Sequence, residues 1–225
     1  MSQLKTTVGY SGDGGTIPVP SVADQVNTYL SSIPPDAPIE SALIAILGGA
    51  NDVFFDFNLT AIQSVGVISG VVTQLRNAGA QNFLFLNYPD LSMIPYDSYI
   101  PIFTQMQLRQ FSADLSTELT SLTRSLSASW RSPTSPTSSA PVRATFVDLM
   151  PLFQTFSFYE GGWKNVGFDQ FGLYGSCLVG AYLETDNVTL CDNPDQHVFW
   201  DEYHPTKAAH KLISDAVVYA LEANS

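Results

Sequence analysis

Asp201 and His204 are the residues of this chain whose types and spacing suit proton transfer, in the run Phe199-Trp200-Asp201-Glu202-Tyr203-His204-Pro205-Thr206. A histidine that takes a proton from a serine hydroxyl needs a partner that fixes its tautomer and stabilises the imidazolium. A carboxylate three residues upstream can fold back to do this. With fifteen Asp and three His among 225 residues, one Asp-x-x-His arises by chance in about one such chain in five. An ordinary capping turn explains the spacing as well. His197 and His210 have no comparable setting and read as surface residues. Asn51, in Gly49-Ala50-Asn51-Asp52, can aim its side-chain amide at a developing oxyanion, with the glycine letting substrate approach the backbone. The same four residues also make a common turn. Tyr10-Ser11-Gly12-Asp13-Gly14-Gly15-Thr16 is a glycine loop whose backbone N–H groups can supply a second oxyanion donor, or simply an unstructured terminus.

The elements around these residues alternate. Ala42–Leu47, Asn82–Asn87 and Arg143–Asp148 are apolar runs of strand length, continuous rather than alternating, as in parallel strands covered on both faces. Helical periodicity appears over Ser21–Ser32 and over Ala61–Ala78, where Gly79 acts as a stop. It appears again over Ile102–Trp130 and in a last helix beginning at Pro205. Residues 132–141, rich in Pro, Ser and Thr, read as a flexible loop. The order implies an α/β protein, a three-layer α/β/α sandwich with a mostly parallel, flavodoxin-like sheet, as one domain over 1–225. Nothing before Ser21 is apolar enough for the central strand that opens such a sheet, so that strand reads as missing. Its loss would expose the edges of its neighbours and favour aggregation. In open sheets ligands bind beyond the carboxyl ends of the strands, where Asn51 falls.

Composition narrows the partners. The chain is 45% hydrophobic and carries a net charge of −12, which repels phosphate backbones and anionic lipid surfaces, so neither nucleic acid nor membrane is an expected partner. No apolar run approaches the roughly 20 residues of a spanning helix. Cys177 and Cys191, the two cysteines, either form a disulfide worth about 3 kcal/mol or are separately buried thiols. The sequons at Asn58 and Asn187 mark both as glycosylation candidates and suit a secreted protein. The first residues, Met1-Ser2-Gln3-Leu4-Lys5-Thr6-Thr7, have neither a basic nor an apolar region of a signal peptide.

Together, Gly49-Ala50-Asn51-Asp52, Leu86-Asn87-Tyr88-Pro89-Asp90 and Asp201-x-x-His204-Pro205 resemble the SGNH, or GDSL-type, hydrolase family. The likeness is strongest to its secreted fungal acetyl esterase-like branch among the carbohydrate esterases. The resemblance implies that Asp201 and His204 are the catalytic acid and base, and that Asn51 is an oxyanion donor. Gly12 is implied as the second donor, although Gly15 aligns equally well. It implies no cofactor and no metal, a monomer, and a small-molecule or saccharide ester as substrate. The family's nucleophile lies in a Gly-Asp-Ser block, and no Gly-Asp-Ser occurs in this sequence. The chain therefore reads as an N-terminally shortened serine-type hydrolase for carbohydrate O-acetyl or short-chain acyl esters, secreted in its full-length form. As it stands it is expected to be inactive. The alternative is a non-catalytic relative binding saccharide through aromatics such as Trp163, Tyr174, Tyr182 and Trp200.

Overall fold

A computed structural model of the chain describes residues 20–129, 142–158, 161–180 and 188–223. These residues fall into two compact units: 20–87 with 113–129 and 142–147, and 88–112 with 148–158, 161–180 and 188–223.

The first unit holds the sheet. Strands β1 (Leu43–Leu47), β2 (Asn82–Leu86) and β3 (Arg143–Val147) are parallel, in the order β1-β2-β3, with Leu43 opposite Asn82 and Asn82 opposite Arg143. Each crossover is helical, as parallel pairing requires. Helix α1 (Val22–Ser32) precedes β1, short α2 (Ala50–Phe55) follows it, and α3 (Ala61–Asn77) returns to β2. Ser21 and Thr60 start α1 and α3 through capping boxes with Asp24 and Gln63, each satisfying otherwise orphaned N–H groups. The stop expected at Gly79 is present, with φ at +108°, a conformation that suits glycine. The long helix α4 (Ile102–Ser129) joins β2 to β3 and is divided between the units at Ser112.

This is the α/β class that the alternating runs indicate, and it is consistent with an α/β/α arrangement. In β2, Phe83, Leu84 and Phe85 are all buried, with the rings of Phe83 and Phe85 stacked at 6.2 Å. In the same unit Ile68, Val72 and Leu75 of α3 and Leu115 and Leu119 of α4 are each at most 1% exposed. β1 departs from the expectation of cover on both faces: Leu43, Ala45 and Leu47 are exposed, alternating with inward Ile44 and Ile46. It stands first in the strand order, and no other described strand pairs with its outer edge.

The second unit contains α5 (Leu149–Phe158), the single turn α6 (Gly162–Asn165), the hairpin of β4 (Leu178–Val179) and β5 (Thr189–Leu190), and α7 (Lys207–Ala223). α5 is a helix that the sequence reading passed over. The last helix begins two residues later than expected. Pro205 instead makes an antiparallel bridge to Phe199, and Thr206 caps α7 by accepting from the Ala209 N–H at 3.2 Å. The Pro/Ser/Thr loop at 132–141 lies outside the described residues.

Candidate active site

The turn between Phe199 and Thr206 puts Asp201 and His204 in direct contact. Both carboxylate oxygens of Asp201 lie 2.9 Å from His204 Nδ1. Oδ1 also accepts the backbone N–H of Tyr203 at 2.8 Å and of His204 at 2.7 Å. The turn therefore closes on the side chain that it presents. Asp201 is 5% exposed, and burial alone would raise its pKa. The His204 ring and the two backbone donors outweigh that and hold it below the ordinary carboxylate value. Asp201 correspondingly raises the His204 imidazole above its ordinary value, first through the hydrogen bond and then through its charge, against a downward pull from burial. With Nδ1 committed to Asp201, Nε2 is the nitrogen suited to exchange protons with a reacting group, and the side chain is 61% exposed.

A second segment backs this turn. Ser176 pairs in parallel with Phe199, Cys177 N donates to Phe199 O at 3.1 Å, and Leu178 N donates to Trp200 O. A disulfide joins Cys177 to Cys191, and Cys191 N donates to Cys177 O at 2.8 Å. Of the two readings of these cysteines, the structure has the bonded one. Thr206 closes the far side by donating its hydroxyl to His197 O at 2.7 Å and its N–H to Val198 O at 2.9 Å. Within the same unit a small cleft lies between Met93, Met150, Phe153 and Phe199, with Asp90 and Gln154 also in its wall.

Asn51 belongs to the other unit, half-buried as the second residue of α2. Gly49 before α2 has φ +113°, so a side chain there would be strained. Its neighbour Asp52 is 3% exposed and accepts from Ser64 Oγ at 2.8 Å, which ties α2 to α3. Gly12, Gly15 and Asn187 lie outside the described residues, as does Tyr182. Asn58 is exposed, its N–H donating to Asp56 Oδ1 at 3.0 Å. His210 is exposed, and His197 is half-buried with Nδ1 3.2 Å from Asn193 O. Tyr174 and Trp200 are exposed and Trp163 half-buried. Cys177, Cys191 and His197 form the one group of potential metal ligands among the described residues, but disulfide sulfurs are not thiolates and make poor ligands.

Two carboxylic acids near the site escaped the sequence reading. Glu202, between the acid and the base, is 1% exposed. Asp97, in the 3₁₀ turn Pro95–Tyr99, is 6% exposed, and neither of its oxygens has a hydrogen-bond partner among the described residues. Burial first, and the nearby charge of Asp90 second, push its pKa up to about 7. Neither acid stands in a spacing that would have marked it.

Comparison with known proteins places this geometry in context. The family model described as "GDSL-like Lipase/Acylhydrolase" matches residues 4–217. A thermolabile hemolysin of Vibrio parahaemolyticus is 23% identical over 217 residues, covering 93% of this chain and 49% of that protein. A GDSL esterase/lipase of Arabidopsis thaliana is 24% identical over 238 residues, covering 90% of this chain and 61% of that protein. Another Arabidopsis GDSL esterase/lipase is 45% identical over a 42-residue stretch, 19% of this chain and 11% of that protein. The chain thus spans about half the length of the curated relatives it matches along most of its own length.

Proposed function

Because the chain belongs to the GDSL-like lipase/acylhydrolase family, we propose that it is a serine-type ester hydrolase domain in which His204 is the general base and Asp201 the group that orients it. The observation that carries this reading is the bracketing of His204 Nδ1 by both oxygens of a buried Asp201. In the reaction a serine hydroxyl attacks the ester carbonyl while His204 Nε2 takes its proton. Asp201 holds the imidazolium that forms, and Asn51, with Gly12, stabilises the oxyanion. His204 then protonates the departing alcohol, and water releases the acyl group by the same route.

The substrate in this reading is a short-chain acyl ester, including the O-acetyl groups of saccharides, and the protein belongs with the secreted acetyl esterase-like carbohydrate esterases of fungi. The small apolar cleft beside Phe199 supports a small acyl group, and the Cys177–Cys191 disulfide suits an oxidising compartment. No Gly-Asp-Ser nucleophile block occurs in the sequence, so in this reading the chain as it stands is inactive as a serine esterase, apart from residual hydrolysis.

Hydrolysis of p-nitrophenyl acetate by the wild-type chain and by His204→Asn tests this. The expected result is wild-type turnover below about 1 s⁻¹, left unchanged by His204→Asn, because without the serine the base has no hydroxyl to deprotonate. A fall of about tenfold or more in the variant would show that His204 activates a nucleophile other than a Gly-Asp-Ser serine. Turnover of about 1–10³ s⁻¹ that Ser11→Ala abolishes would show that the chain holds its own nucleophile.

A further inference from the structure

Glu202 has the most buried carboxyl group among the described residues, at 1% exposure, and it stands between the acid and the base. Burying a carboxyl group is costly unless something inside requires it. Its Oε1 accepts the backbone N–H of Gly180 at 3.1 Å, its Oε2 has no partner among the described residues, and its backbone O accepts the N–H of Tyr96 at 3.0 Å. We propose that Glu202 is a positioning residue, whose carboxyl group fastens the Asp201–His204 turn to the segment carrying Cys177. The inference rests on the reading of Asp201 and His204 as the acid and base.

The backbone shows why a side chain is needed there. Cys177 N and Leu178 N donate in succession to the carbonyls of Phe199 and Trp200, a short parallel ladder. Beyond Trp200 the chain turns so that the Tyr203 and His204 N–H groups can reach Asp201, and the ladder loses its row of carbonyls. Two residues beyond Leu178, Gly180, with φ at +91°, presents its N–H to Glu202 Oε1 in place of a backbone oxygen. The opposite side of the turn is held by the bond from Tyr96, whose ring stacks on Tyr203 at 4.8 Å. Tyr203 immediately precedes His204. The residue between acid and base is thus tied by its side chain to the disulfide hairpin and by its backbone to the 3₁₀ turn, which leaves the Asp201–His204 contact little freedom to open.

The test follows the imidazole signals of His197, His204 and His210 by NMR across pH in the wild type, Glu202→Gln and Glu202→Leu. His204 is assigned by its loss in His204→Asn. In the wild type its midpoint is expected above the ordinary value of about 6.5, as the hydrogen bond to Asp201 directs. Glu202→Gln keeps an acceptor for Gly180 and is expected to keep that midpoint. Glu202→Leu keeps the bulk, removes the acceptor, and is expected to bring the midpoint back toward the ordinary value. A folded Glu202→Leu with the wild-type midpoint would overturn the proposal, and so would a Gln variant that loses it as Leu does. Should Glu202→Leu fail to fold, amide exchange in the wild type decides. Protection of Gly180 N–H comparable to Cys177 and Leu178 supports the tether, and exchange at the rate of an unstructured amide overturns it. None of these readouts requires ester turnover, so a failure of the hydrolase reading and a failure of the tether are told apart.

Discussion

Relative to wild type, the Asp97→Asn variant should gain stability as pH rises. Asp97 is 6% exposed with both carboxyl oxygens unpartnered among the described residues. Burial and the charge of Asp90 raise its pKa from 3.8 to about 7. In the unfolded chain the group ionises at its ordinary value. Between these two values the folded protein therefore keeps a proton that the unfolded chain has released, and stability falls as pH rises. The gap of about 3 units, at about 1.4 kcal/mol per unit, amounts to about 4 kcal/mol in full. About 3 kcal/mol of this falls between pH 5 and pH 8.5, because the loss ends near pH 7. Asn has the same shape and cannot ionise, so the difference in unfolding free energy between Asp97→Asn and wild type should grow by about 3 kcal/mol over that range. Intrinsic effects of the substitution cancel in the comparison between the two pH values. Urea denaturation of both proteins at pH 5 and pH 8.5, above the sequence pI of about 4.3, measures it. A difference that stays constant within about 1 kcal/mol, or shrinks with rising pH, would refute the reasoning.

Two further outcomes follow from local geometry. Replacing Cys177 and Cys191 together by Ser opens a loop with a sequence separation of 14 and should lower the unfolding free energy by about 3 kcal/mol, read as a lower urea midpoint. At Gly172 an added Cβ would overlap the carbonyl oxygen of Gln196 and lie 3.0 Å from His197 Cα. Gly172→Ala should therefore cost about 1–3 kcal/mol and lower the melting temperature, whereas a wild-type melt would show that the 194–197 turn yields freely.

The sheet was legible because its signal is local. Phe83, Leu84 and Phe85 are buried as a continuous apolar run requires, and the caps Ser21 and Thr60 stand where the helical periodicity begins. α5 was not, because Pro151 at its third residue reads as a turn although a first-turn proline costs a helix nothing. There the Asp148 side chain accepts the Met150 N–H at 3.0 Å. Pro205 misled in the opposite direction: it looked like a helix start, while Thr206 does the capping and Pro205 is used in the bridge to Phe199. Asp201 and His204 were legible as a spacing. Glu202 was not, since its partners Gly180 and Tyr96 are distant in sequence and carry no pattern of their own, and Asp97 stands in no spacing that marks it.

The Asp201–His204 contact spans three residues, whereas the β2–β3 pairing joins Asn82 to Arg143, 61 positions apart (143 minus 82). Closing the first costs far less chain entropy than closing the second. The acid and base can therefore meet early on the folding route, before the long-range strand pairings that dominate the barrier of a parallel sheet. A dyad of this kind is encoded within one tetrapeptide, so the acid and base are already neighbours when Gly180 and Tyr96 arrive to hold them, whereas a catalytic pair assembled from distant strands exists only after those strands have paired.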